Sequence, residues 1–185
     1  VQDDTLCRCH DFVLPWKEEL FSHLRERWSE LFGVRYEVLL YDLTSTYFEC
    51  DVPGDETDPR RFGYNRDRRG DCVQVVVALV VTPEGLPLAY EMFPGNTADK
   101  TTLRFMLATI RRRYGAAERI WVMDRWIPTE AILEELRTAD SGVRYLVGTP
   151  KGRLTRYEAA FAERPWQLVR PQLRAKLLPQ DGELY

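Results

Sequence analysis

Tyr41-Asp42-Leu43-Thr44-Ser45-Thr46-Tyr47-Phe48-Glu49 is the stretch on which the reading of the fold turns. From Val38 to Phe48 the chain is dense in β-branched and aromatic residues, the composition of a strand, so alternate side chains point to opposite faces. Asp42, Thr44 and Thr46 then share one face. An ionised carboxylate within such an apolar run is costly to bury unless it is paired, hydrogen-bonded or holding a metal. Two readings of Asp42 stay open on spacing alone: a functional carboxylate, or an edge-strand aspartate facing water.

A second aspartate, Asp124, follows the apolar run Ile120-Trp121-Val122-Met123, which reads as a central strand covered on both faces. It falls at the strand's C-terminal end, where ligands gather in open α/β sheets. The alternative is a cap for the helix that begins near Pro128.

Between and around these strands the elements follow in order. Residues 1–14 read as irregular, and Pro15 to Phe32 as a helix carrying Leu20, Leu24, Trp28 and Leu31 at helical spacing, closed by Gly33. A long loop spans Asp51 to Asp71. Strands follow at Val73 to Val81 and Leu86 to Phe93, joined by the turn Thr82-Pro83-Glu84-Gly85. A helix from Lys100 to Tyr114 buries Leu103, Met106, Leu107, Ile110 and Tyr114, and a second from Pro128 to Arg137 buries Ile132, Leu133 and Leu136. Tyr145 to Gly148 is a fifth strand, Lys151 to Ala162 a helix, and the tail has a strand at Ala175 to Leu178. Asp181-Gly182-Glu183 reads as a hairpin turn whose return strand has only begun at Leu184-Tyr185.

Three antiparallel strands followed by βαβ crossovers make a mixed α/β sheet with helices on its faces. The first and fourth strands can then be neighbours, which would bring Asp42 and Asp124 together. Such a carboxylate pair requires a cation, and hard oxygen donors favour magnesium or manganese. The chemistry it supports best is metal-assisted attack on a phosphodiester.

At 185 residues and a net charge of −3, the chain is one globular domain with a short appendage, and it is not a protein that coats nucleic acid non-specifically. No apolar run reaches membrane-spanning length and Val1-Gln2-Asp3-Asp4 lacks the basic-then-apolar pattern of a signal peptide, so a cytoplasmic location with reduced Cys7, Cys9, Cys50 and Cys72 is expected. The Cys7-Arg8-Cys9-His10 tetrad lacks zinc spacing, and His23 reads as a surface histidine. Arginines cluster at Arg60, Arg61, Arg66, Arg68 and Arg69, at Arg111-Arg112-Arg113, and with Lys151 at Arg153 and Arg156. The middle group suits a helix C-terminus; the other two are candidate phosphate contacts or solvated faces.

The motifs, taken together, resemble the DDE transposases of bacterial insertion sequences. The resemblance rests on the Tyr41 to Glu49 stretch and on Phe62-Gly63-Tyr64-Asn65-Arg66-Asp67. It extends through Gly85-Leu86-Pro87-Leu88, Phe93-Pro94-Gly95-Asn96-Thr97, Asp99-Lys100-Thr101-Thr102-Leu103 and Val122-Met123-Asp124-Arg125, covering about Leu20 to Glu158. It implies a ribonuclease-H-like fold in which Asp42 and Asp124 are the first two metal-binding, catalytic acids. It further implies two Mg2+ or Mn2+ ions, cleavage and joining of DNA strands, and double-stranded transposon-end and target DNA as partners, with no membrane partner and a homodimer as a compatible assembly. On this reading residues 1–36 are an N-terminal helical segment, 37–163 an incomplete catalytic core, and 164–185 the start of a truncated β-rich insertion. The arginines from Arg60 to Arg69, with Lys151 and Arg153, would contact DNA. Two departures stand out: the family's glutamate, which follows that insertion, is not reached, so the chain would be inactive alone or a DNA-binding remnant; and Trp126 stands where relatives carry glycine. Glu158 lies too early to replace the glutamate. Asp71 or Glu91 would have to serve if the chain were a self-sufficient nuclease, and a sheet without its last helix would leave apolar surface uncovered.

Overall fold

A computed structural model describes residues 3–64, 69–115, 118–125, 127–138, 143–149, 151–180 and 183–185, in two compact units, residues 1–147 and 148–185. The first contains helices α1 (Asp3–Val13) and α2 (Lys17–Phe32), strands β1 (Val38–Phe48), β2 (Val73–Val81) and β3 (Pro87–Pro94), helix α3 (Asp99–Tyr114), strand β4 (Arg119–Met123), helix α4 (Glu130–Thr138) and strand β5 (Val143–Val147). The five strands make one mixed sheet in the order β3-β2-β1-β4-β5, antiparallel from β1 to β3 and parallel from β1 to β5. This is the mixed sheet expected from the sequence, three antiparallel strands followed by βαβ units, with β1 and β4 side by side.

The helices are not distributed as expected. The crossovers β3-α3-β4 and β4-α4-β5 both join parallel strands and both advance in the same direction across the sheet. Right-handed connections of that kind set their helices on one face. Leu39, Tyr41, Ala78, Val80, Ala89, Trp121 and Met123 form the covered face, against Leu103, Met106 and Ile110 of α3 and Ile132 and Leu136 of α4. The other face holds Leu40, Val77, Leu79, Met92, Val122 and Leu146, of which Leu79, Met92 and Leu146 are 38%, 54% and 63% exposed. The alternation along β4, buried then half-buried, follows from this one-sided cover and corrects the expectation of a strand buried on both faces.

Residues 3–13 are helical where the sequence reads as irregular. Leu6, Phe12 and Val13 are more than 45% exposed, so α1 shows no stripe committed to a core, and periodicity gave no signal. Pro15 lies in a single 3-10 turn, Leu14–Trp16, that separates α1 from α2. Gly33 ends α2 at φ 61°, in the left-handed region, with its N–H on the Ser29 carbonyl. On α2 the fully buried residue is Phe21, whose ring lies 5.8 Å from Tyr90; of the expected stripe, Leu24 and Trp28 are half-buried, Trp28 against the core, while Leu20 and Leu31 are exposed. Lys17 and Arg113 both pair with Glu91, at 3.0 and 3.3 Å, and Arg113 also pairs with Glu18, tying α2 and α3 to edge strand β3. Arg113 is thus structural, as its helix-terminal position implied.

Tyr41 donates a hydrogen bond to Thr102 Oγ1 at 2.9 Å, and Thr102 in turn donates to the Asp99 carbonyl, which fastens the first turn of α3 to β1. Burial pushes the Tyr41 phenol far above its ordinary value of 10, and Tyr36 and Tyr114 are raised for the same reason. A group whose folded pKa is raised adds stability that is whole below its unfolded pKa and is lost as pH climbs through the window above it. Unfolding free energy is therefore expected to fall once pH exceeds about 10. Tyr41→Phe should make that fall shallower, which urea unfolding on either side of this pH would read.

In the second unit, two short helices, α5 (Lys151–Leu154) and α6 (Glu158–Glu163), flank a 3-10 turn and replace the single helix expected there. Two ribbons follow: β6 (Gln167–Arg170) with β7 (Leu173–Ala175), and β8 (Pro179–Gln180) with β9 (Glu183–Leu184). The strand expected at Ala175 to Leu178 lies earlier, and the return strand of the last hairpin is present, pairing Pro179 with Leu184.

Candidate functional site

The parallel register of β1 and β4 pairs Leu40 with Val122 and Tyr41 with Met123, so the next level along both strands is Asp42 beside Asp124. Directly neighbouring strands lie about 4.8 Å apart. Side-chain alternation puts both aspartates on the open face, in line with Leu40 and Val122, and both are exposed. Asp42 is therefore neither buried nor on an edge: β1 is central, and the aspartate meets water because this face carries no helix from the first unit's crossovers. Asp124 Oδ1 accepts the Arg125 backbone N–H at 2.6 Å, and its own carbonyl accepts from Ile127 N–H at 3.1 Å. Asp124 precedes α4 by six residues, which removes the helix-cap alternative. Trp126 lies outside the described residues.

Among the described residues no third His, Cys, Asp or Glu joins the pair to make a three-ligand cluster. Glu91 is opposite Ala78, hence on the covered face, where Lys17 and Arg113 hold it. Asp71 lies beyond the C-terminal end of β1 and is fixed by Arg69, whose hydrogen bonds lower its carboxyl to about 2. Neither is placed to serve with Asp42. Glu158 begins α6 in the second unit.

Among the described residues, Arg60, Arg61 and Arg69 of the long loop are already engaged. Arg60 holds Asp58 through Nε and Nη2, at 3.0 and 2.6 Å, and lowers that carboxyl to about 2. Arg69 binds Asp71 and, at 3.0 Å, Glu49, the last residue of the opening motif. Arg61 donates to the carbonyls of Arg60 and Glu56. Arg66 and Arg68 lie outside the described residues, as do the side chains of Lys151 and Arg153. Reading charge along the sequence missed these pairings because Glu49, Asp58 and Asp71 bracket the arginines at ranges that only the folded loop shows.

The same loop is stitched to the β3-α3 turn. Buried Gln74 donates through Nε2 to the carbonyls of Tyr64 and Gly95, at 3.0 and 2.8 Å, and its backbone pairs with Arg61. A Cβ on Gly63 would stand 1.9 Å from the Gly95 oxygen, and one on Gly95 would stand 2.1 Å from the Gln74 oxygen, so both positions require glycine. Beside them is a cavity of about 850 Å³ lined by Leu43, Ser45, Tyr64 and Asn96. Leu43 and Ser45 point away from Asp42, so this cavity is not part of the aspartate pair.

Among the described residues no helix is long and apolar enough to cross a membrane. No curated protein matches the chain. Solved structures similar to the chain include three of Mos1 transposase. The Mos1 transposase paired-end complex with left transposon end is 13% identical, at TM-score 0.39, over 70% of this chain and 40% of that one. A pre-cleavage Mos1 transpososome is 14% identical, at TM-score 0.39, over 72% and 42%. The Mos1 strand transfer complex is 16% identical, at TM-score 0.39, over 72% and 40%. The chain thus spans about two-fifths of the structures it matches. A sequence profile described as "Transposase DDE domain" matches residues 36–182, from just before β1 to the last hairpin, and so takes in both aspartates. The chain belongs to the transposase DDE domain family.

Proposed function

We propose that Asp42 and Asp124 are two carboxylates of a divalent-metal site with which an insertion-sequence transposase cleaves and joins DNA strands. The observation that carries this reading is the register: two aspartates more than 80 residues apart in sequence stand at one level, on neighbouring strands, on the same open face. Two exposed carboxylates present only hard oxygen donors, a set that fits Mg2+ or Mn2+ better than a softer metal. Bound there, such ions would activate the attacking hydroxyl or water and stabilise the leaving 3′-oxygen. The protein's own contribution is placement. A central strand fixes Asp42, the Arg125 N–H steadies one oxygen of Asp124, and the open face leaves room for a DNA strand above both.

Transposon-end and target DNA are the partners this reading implies, with a homodimer the assembly to test and the cytoplasm the place of action. Residues 37–163 serve as the catalytic core, 1–36 as a helical lead-in and 164–185 as a β-rich segment. A second reading, DNA binding without catalysis, draws on the lack of a third acid beside the pair among the described residues. Under it, arginines of the Arg60 to Arg69 loop, Lys151 and Arg153 carry the binding.

Affinity for a DNA duplex, measured with and without Mn2+, separates the two. A metal site that engages a phosphodiester should make binding tighter in Mn2+, and the gain should vanish in Asp42→Ala/Asp124→Ala. Binding that is salt-sensitive but indifferent to Mn2+ and to both aspartates would overturn the metal-site reading in favour of the second.

A further inference from the structure

We infer that the β6-β7 ribbon is a nucleic-acid-binding element that grips phosphates through Arg170 and Arg174. The inference rests on the reading of the chain as a DNA-acting protein and adds the surface that does the holding. From Arg164 to Gln180 the sequence carries four Lys and Arg and no Asp or Glu. The chain as a whole is acidic, so this is where its charge reverses.

The ribbon pairs Leu168 with Arg174 and Arg170 with Leu173 across the turn at Pro171 and Gln172, where Gln172 takes φ 68°. All four residues of β6 are exposed, and so is Arg174. Among the described residues neither Arg170 nor Arg174 has a carboxylate partner, in contrast to Arg60 and Arg69. Lys176 is spent differently. Its ammonium donates to the Phe161 carbonyl at 2.8 Å and lies 5.2 Å from the Trp166 ring, which anchors the ribbon's base to α6. Two unpaired guanidinium groups near the turn of a narrow antiparallel ribbon match a polyanion: each makes forked hydrogen bonds to phosphate oxygens, and a two-stranded ribbon is slim enough for the major groove. Leu168 and Val169 are exposed too, which would suit a protein partner. A segment from Arg164 to Gln180 with four cations and no acid, presenting Arg170 and Arg174 to solvent, favours a polyanion such as DNA as its partner.

The test is the salt dependence of the full chain's affinity for a DNA duplex, with Arg170→Ala/Arg174→Ala and Arg170→Lys/Arg174→Lys beside wild type. Each phosphate contact contributes about 0.9 to the slope of log K against log salt. The alanine pair should therefore flatten the slope by about 1.8, and the lysine pair should keep it, since charge is retained. An alanine pair with the wild-type slope overturns the ribbon proposal while leaving the DNA-acting reading intact. Wild type without measurable DNA affinity overturns both. A change in oligomeric state in the alanine pair, with its DNA slope unmoved, assigns the ribbon to a protein partner and likewise overturns the proposal.

Discussion

Asp42→Asn and Asp124→Asn, made singly, are expected to abolish most of the stabilisation that Mn2+ confers on the wild-type protein, while leaving the metal-free protein at least as stable as before. Two carboxylates at one level on adjacent strands repel each other, and removing one charge relieves that repulsion. The same removal halves the anionic donors available to a cation. A ligand that binds only the folded state stabilises it by about 2.7 kcal/mol at one hundred times its Kd, so thermal unfolding with and without Mn2+ should show a clear upward shift in wild type. Each variant should lose most of it. Because both residues are exposed on an open face, neither substitution disturbs packing, and a loss of the shift reports on metal alone.

The largest effect on stability is expected at the covered face. Leu103→Ala should cost about 2–5 kcal/mol, a large share of the roughly 5–15 kcal/mol that holds a domain of this size together. Leu103 is fully buried in α3, in the cluster that includes Met106, Ile110, Leu39 and Tyr41, and truncation leaves a hole that a sheet backed by two helices cannot close. Phe12→Ala on α1 is the matched control. That ring is 78% exposed, and its loss should change stability by no more than about 0.5 kcal/mol. Urea midpoints at constant m-value would compare the two.

The covered face was legible in the sequence because its residues obey one period each. Leu103, Met106 and Ile110 recur at helical spacing, Ile132, Leu133 and Leu136 do the same, and Val73 to Val81, apolar but for Gln74, is a strand found at its expected bounds. The pairing of β1 with β4 followed from connection rules, and it carried Asp42 and Asp124 with it. What the sequence concealed depends on what each element packs against. The alternation of β4 shows only where α3 and α4 lie on one face, and α1 has no apolar stripe facing a core. Arg60 and Arg69 looked available until Asp58, Asp71 and Glu49 folded onto them. Arg170 and Arg174 form no cluster along the sequence, although the absence of acids from Arg164 to Gln180 is a signal readable without a structure.

Asp42 and Asp124 as one metal site is the claim on which the functional account stands, and calorimetric titration of Mn2+ into wild type, Asp42→Ala and Asp124→Ala tests it most directly. The account predicts that each substitution weakens binding at least about tenfold, or about 1.4 kcal/mol, and that the double variant is little worse than either single one, since both carboxylates serve the same site. Equal Mn2+ affinity in wild type and both single variants would contradict it.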